Sequence, residues 1–150
     1  ALQTSELDLD FEKIFFRFKK DDKYGLIDYD GNLFDAANIA VMAALLNTKL
    51  PTASYVDDEV VLDEENLMDL PVIDKLALST FVKIGNGLVL DPSLEEEEIL
   101  DARLSVGVTQ DSNYICSMQK GGEKPLTKDE ILDAVHIAFT TKDEIFEYLE

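Results

Sequence analysis

The sequence predicts an α+β fold, a mixed or antiparallel sheet with helices packed on it, and three observations carry that expectation. The first is an alanine-rich run from Ala36 to Leu46 whose only polar side chain is Asn38. The second is a series of short alternating segments, "LALSTFVKI", "LVL", "ARLSVGV" and "YICSM", separated by turn residues. The third is the C-terminal segment "TKDEILDAVHIAFTTKDEIFEYLE", apolar at helical spacing behind a capping box.

The first 22 residues open with the acidic, alternating "SELDLDF" and continue into "EKIFFRFKKDD". The aromatic run Ile14–Phe18 predicts a strand. "KYGLIDYDGN" reads as a second short strand entering a turn at Asp30-Gly31 or Gly31-Asn32, dipeptides that tolerate positive φ. Asp35 is then placed as the N-cap of a helix near 35–49. Ile39, Met42, Ala43 and Leu46 form one stripe, Val41 and Leu45 a second, with alanines between them. A helix with almost no polar face is expected to be buried on more than one side. Lys49 suits the negative end of its dipole, and Pro51 ends it.

Residues 52–70 alternate short apolar pieces with acidic clusters, which predicts a solvated connection with an edge strand around Glu59–Leu62. Gly85-Asn86-Gly87 between two apolar segments signals a hairpin. Ala102, Leu104, Val106 and Val108 share one strand face, and Tyr114, Cys116 and Met118 another, giving an antiparallel meander with one buried face. Gly121-Gly122 breaks the sheet. Thr127 and Glu130 form the capping box of the last helix, whose apolar stripe is Ile131, Leu132, Val135, Ala138 and Phe139. A second "TKDE", Thr141 to Glu144, offers a point where that helix restarts.

At 150 residues the chain fits one domain, 1–150. Its 32 acidic residues against 13 basic ones leave a net charge of −19. Affinity for nucleic-acid phosphates comes from Lys and Arg, so autonomous RNA or DNA binding is disfavoured, as is attraction to anionic lipid. Basic protein partners are favoured instead. The N-terminus lacks the basic-then-apolar order of a signal peptide and begins without Met, as a processed product or a fragment would. No apolar run approaches the ~20 residues of a membrane span. The lone Cys116 excludes an internal disulfide and fits a reducing compartment.

Candidate chemistry is sparse. Asp28, Asp30 and Asn32 open like a calcium loop, but Gly31 stands fourth and Ile39 twelfth, where an EF-hand needs glycine sixth and Glu twelfth. A turn and helix cap is the better reading. Glu95–Glu98 run consecutively, so they point mostly into water instead of converging on a cation; Ser93 and Glu96 suit a cap on a short helical turn. His136, the only histidine, lies at the boundary of an apolar stripe. Cys116, on the apolar side of a strand, reads as an inert buried thiol. Catalytic, cofactor-binding and metal-ligating residues are all predicted to be none.

Three blocks in order carry a resemblance. "DYDGNLFDAANIAVMAALLNTKLP" is similar to the turn and alanine-rich helix of RNase PH-type subunits of the RNA exosome. "LVLDPSLEEEEILDARLSVGV" resembles the aspartate-proline and multi-glutamate segment of that fold's second half. "ICSMQKGGEKPLTKDEI" resembles the strand, glycine pair and helix that close it. The resemblance implies that residues 1–51 are the end of the first half, with the buried helix, and residues 69–150 the C-terminal subdomain. It implies a subunit of a six-membered ring that degrades RNA from its 3′ end. It also implies RNase PH-like subunits as partners, RNA met only through the assembled complex, and no membrane association. The active branch places an acid two residues before the turn glycine; here Tyr29 stands there, and a phenol with pKa around 10 cannot replace a carboxylate. The expected function is therefore a non-catalytic structural ring subunit without cofactors. Its acidic loops, Asp57–Glu59 and Glu95–Glu98, would engage basic partner surfaces. The alternatives are a phosphorolytic 3′–5′ exoribonuclease and an unrelated acidic interaction module. The expected location is intracellular, in the cytoplasm of an archaeon or the nucleus, nucleolus and cytoplasm of a eukaryote.

Overall fold

The computed structural model of the chain describes residues 30–147 and residue 149. The strands expected near Ile14–Phe18 and within "KYGLIDYDGN", together with Asp28 and Tyr29, lie outside the described residues. In chain order the elements are α1 (Leu33–Leu46), β1 (Lys49–Val56), β2 (Glu59–Asp69), β3 (Leu76–Ile84), β4 (Gly87–Leu90), α2 (Leu94–Glu98), β5 (Ala102–Thr109), β6 (Ile115–Gly121) and α3 (Lys128–Glu147). Among the described residues strands β1 and β2 pair only with each other, while the other strands form an antiparallel sheet in the order β4-β3-β5-β6.

Strands β3 and β5 sit at the centre of that sheet, and helices cover both of its faces. Period-two alternation sorts the side chains. Ala77 and Phe81 of β3, opposite Val108 and Leu104 of β5, face α3 and meet Ala134, Ala138 and Phe146 in the core. The other face of the same strands turns Thr80 and Ser105 toward α1, and both are buried. The meander therefore has two covered faces where the pattern predicted one. Small polar residues disguised the second, because each finds a partner there: Thr80 Oγ1 and Ser105 Oγ lie 2.8 Å apart.

Strand β6 reverses an expectation. Tyr114, Cys116 and Met118 were placed on a buried face, yet every residue from Ile115 to Lys120 is exposed. The strand lies at the sheet edge, beyond the reach of α3, and a bulge opposite Gly107/Val108 breaks its alternation. A Cβ on Gly107 would stand 2.3 Å from Ser117 Oγ, so a larger residue there would have to turn the serine aside.

The capping box of α3 is present: Glu130 N donates to Thr127 Oγ1 (3.2 Å) and Thr127 N to Glu130 Oε2 (2.7 Å). The helix runs through the second "TKDE" without restarting, because Thr141 donates back to Ile137 O at 3.0 Å inside the continuous ladder. Its buried positions are Ala134, Ala138, Lys142 and Phe146; Leu132, assigned to the stripe, faces out.

Helix α1 lies where the alanine run put it but starts and ends earlier. Asn32, not Asp35, is the N-cap, in the left-handed region at φ 46°, and its side chain makes no capping bond. Asp35 is the third helical residue, where a carboxylate still suits the helix dipole. The last turn holds no basic residue, because Lys49 and Pro51 already belong to β1. Among the described residues the helix packs on β3 with one face: Met42 is buried, Val41 and Leu45 are half-buried, and Ala36, Ala40 and Ala44 are exposed. The expected cover on a second side is absent among the described residues.

Residues 49–69 also depart from the expected loose connection. They form a two-stranded hairpin whose register runs from Lys49↔Asp69 to Val56↔Glu59, closed by Asp57 and Asp58 at φ 51° and 64°. Consecutive left-handed residues match the twist of a tight hairpin turn, a signal hidden by the acidic sequence.

Phe146→Ala tests the core. Removing a fully buried ring from the end of α3 should cost about 3–5 kcal/mol, read as a lower denaturation midpoint in urea with an unchanged slope.

Candidate functional site

The residues that draw the most distant parts of the chain together are acidic, and they surround Asn32. Gly31, at φ +99°, packs so tightly on the start of α2 that a Cβ would lie 2.3 Å from Pro92 O. Leu94 N donates to Asp30 O (2.9 Å), which fixes the turn onto α2. Asn32 is then buried, and its amide nitrogen donates to Asp35 Oδ2 (2.8 Å) and Asp91 Oδ1 (2.6 Å). Its backbone N–H donates to Glu97 Oε1 at 3.1 Å. Asp35 reaches across to β3, accepting from Thr80 N (2.8 Å) and Thr80 Oγ1 (2.7 Å). With the Thr80 hydroxyl hydrogen spent on that carboxylate, Ser105 donates to Thr80.

The electrostatics of this hub follow from burial. Asp35's carboxyl is pushed above the usual carboxylate range, first by loss of water. The bonds from Asn32 and Thr80 pull the other way, and the charge of Asp91 adds to the rise. The acids are held by protein N–H and O–H donors, Asp35 and Asp91 meeting on the Asn32 amide nitrogen; among the described residues no group of three or more His, Cys, Asp or Glu is placed to hold a metal ion. The hub orients helix α1.

The glutamate run divides. Glu95 and Glu98 face solvent as expected. Glu96 closes a capping box with Ser93, accepting from Ser93 N at 2.9 Å, and Glu97 holds Asn32. Of the calcium-like trio, Asp28 lies outside the described residues, Asp30 is exposed and Asn32 is consumed in the hub. His136 is exposed and borders a shallow groove of about 380 Å³ with Asn86, Leu88, Glu130, Asp133 and Ile137. Cys116 is exposed, not buried, a correction that follows from the edge position of β6.

A second anchored element escaped the sequence reading. The β5–β6 turn is gripped from two sides by residues distant in sequence. Asp74 accepts from Asp111 N (3.0 Å), Ser112 N (3.0 Å) and Ser112 Oγ (2.5 Å). Lys142, buried on α3, donates to Gln110 O and Asn113 Oδ1, both at 2.6 Å. Only the tertiary fold brings them to one turn. Asp74's carboxyl is held far below the ordinary range, chiefly by the Asp111 N–H and the Ser112 hydroxyl.

Against this geometry the comparisons with known proteins are specific. Residues 76–141 match the model described as "3' exoribonuclease family, domain 2". That match places residues 76–141 in the RNase PH-type 3′ exoribonuclease family. It is 57% identical over 125 residues to the exosome complex component Rrp42 of Methanothermobacter thermautotrophicus, covering 83% of this chain and 46% of that protein. It is 41% identical over 120 residues to Rrp42 of Methanopyrus kandleri, covering 80% and 45%. Its fold is similar to a chain of a structure titled "Archaeal exosome core", with TM-score 0.67, 30% identity and coverage of 83% and 47%. It is similar also to a chain of the Archaeoglobus fulgidus exosome with RNA bound to the active site, with TM-score 0.61, 34% identity and coverage of 79% and 45%. The chain spans about half the length of the curated relatives it matches.

Two measurements test the anchors. Asp35→Ala leaves the Thr80 N–H and one hydrogen of the Asn32 amide without an acceptor, and should lower stability by about 3 kcal/mol, measured by urea denaturation at pH 7. Because burial raises Asp35's folded pKa, its ionisation opposes folding, so that Asp35 favours stability most below about pH 4 and less as pH rises. Asp74 has the opposite sign. Its stabilisation is present above about pH 4 and is lost as pH falls toward its depressed folded pKa. Asp74→Asn should therefore be less stable than wild type at pH 7, with the gap closing in melts taken down to pH 2.

Proposed function

We propose that this chain serves as a non-catalytic structural ring subunit of an RNA exosome, holding RNase PH-like partners in a hetero-oligomeric ring and meeting RNA only through the assembled complex. The similarity to Rrp42 supports exosome membership. One observation carries the non-catalytic reading: the acids gathered at the centre, Asp35, Asp91 and Glu97, are spent on Asn32 and Thr80. Carboxylates committed to internal donors orient helix α1 and are not poised to move protons or hold a cation. Tyr29 before the turn glycine and the net charge of −19 favour the same reading, since neither suits direct RNA chemistry.

In this proposal residues 69–150 form the C-terminal subdomain of the family fold, and residues 1–51 close its first half around α1. No residue is assigned a catalytic, cofactor or metal role. No helix among the described residues is long and apolar enough to cross a membrane. The work of the subunit is placed inside the cell, in the cytoplasm of an archaeon or the nucleus, nucleolus and cytoplasm of a eukaryote.

Two experiments test the reading. Mixing the chain with purified RNase PH-like subunits of the Methanothermobacter thermautotrophicus exosome should yield a ring of defined mass by native mass spectrometry. A chain that stays monomeric at every salt concentration would remove it from the ring. Incubating the chain alone with single-stranded RNA, inorganic phosphate and magnesium should release no nucleoside diphosphate. Their appearance would make it a phosphorolytic exoribonuclease instead.

A further inference from the structure

The β1–β2 hairpin presents one face that is apolar from Pro51 to Tyr55, with the Lys49–Asp69 ion pair at its base. The register opposes Pro51 with Leu67, Ala53 with Leu62 and Tyr55 with Val60. Alternation places all six on the same side. The side is open: Tyr55 is 71% exposed, Val60 67%, Leu62 57% and Leu67 57%. The opposite side is mixed, pairing Leu50 with Met68, Thr52 with Asp63, Ser54 with Val61 and Val56 with Glu59. The asymmetry is that of a binding face, since an isolated two-stranded hairpin gains little from apolar residues on a solvated side.

Charge identifies the occupant. Seven acids lie between Lys49 and Asp69 against Lys49 alone, and that lysine is already paired with Asp69. Asp57 and Asp58 crown the tip, and Asp63 ties its own bulge by accepting from Asn66 and Glu65. A second copy would bring the same seven acids against these, on a chain of net charge −19, and like charges meeting at an interface are repelled. A surface with an apolar centre and a rim of Lys and Arg satisfies both features.

We infer that the face formed by Pro51, Ala53, Tyr55, Val60, Leu62 and Leu67 is the contact of this chain with a basic-rimmed neighbouring RNase PH-like subunit. Tyr55 and Leu62 are its anchors and the acidic tip steers its approach. This assignment rests on the ring-subunit reading above. Six residues are fewer than the ~20–30 of a full interface side, so the face supplies the dry centre and other surfaces the remainder.

The test compares the chain with three variants, each titrated against the purified RNase PH-like subunits of the Methanothermobacter thermautotrophicus exosome. Tyr55→Thr/Leu62→Thr keeps strand-favouring residues while removing the anchors. It should weaken association at least ~100-fold, as loss of two interface anchors does. Val61→Thr, on the opposite side, should bind like wild type. Asp57→Asn/Asp58→Asn should slow association and flatten its dependence on salt. If wild type binds and the anchor variant binds equally well, the face is not the contact, although the ring-subunit reading stands. If wild type itself fails to bind, that reading falls and this assignment with it. If wild type self-associates and only the anchor variant is monomeric, the occupant is a second copy and the assignment is overturned. An anchor variant with altered thermal unfolding as an isolated chain shows the face to be covered from within, which also overturns it.

Discussion

A single buried carboxylate sets the geometry on which the rest of the described structure depends. Asp35 leaves the first turn of α1 and binds both polar groups that Thr80 offers, on the central strand β3. It also accepts from Asn32, which in turn holds Asp91, while the Asn32 N–H is taken by Glu97 of α2. Removing this charge from water is costly, and only the completeness of its hydrogen bonds makes the position tolerable. The gain is directional: an apolar helix alone could slide or rotate on the sheet, whereas Asp35 and the bond from Asn38 to Leu76 O fix where it lies.

The two layers of helix on the central strands follow from the division of labour between faces. Toward α3 the strands present Ala77, Phe81, Leu104, Val106 and Val108, a conventional apolar core driven by loss of water. Toward α1 they present Thr80 and Ser105, polar residues that the hub satisfies. Phe34 adds its ring to the same layer, with the Arg103 guanidinium 4.3 Å above its centre. The acidic composition therefore has two uses. Some carboxylates are structural, holding Asn32, Thr80, a helix cap or the β5–β6 turn; others among the described residues, such as Glu95 and Glu98, face solvent and give the surface its charge.

The same physics separates anchored parts from projecting ones. The β5–β6 turn is clasped by Asp74 and Lys142 and reads as a fixed feature of the surface. The β1–β2 hairpin is held almost entirely by its own ladder. Its apolar side stays without cover among the described residues.

What the sequence by itself determined was whatever depends on local pattern. The 102–108 alternation, the Gly85–Gly87 turn, the capping boxes at Ser93 and Thr127 and the alanine helix were all legible, because neighbours within a few residues decide them. The resemblance through three ordered blocks identified the family for the same reason. Tertiary structure alone decided that Asn32 caps α1 while Asp35 crosses to Thr80, a contact 45 residues away in sequence. It decided that Cys116 is exposed, since alternation does not reveal which strand becomes the sheet edge. It also decided that residues 49–69 form a hairpin with one apolar side, because that side exists only once register and bulge set which residues stand opposite. Pairing across a fold is a property of position, and position is what local pattern does not encode.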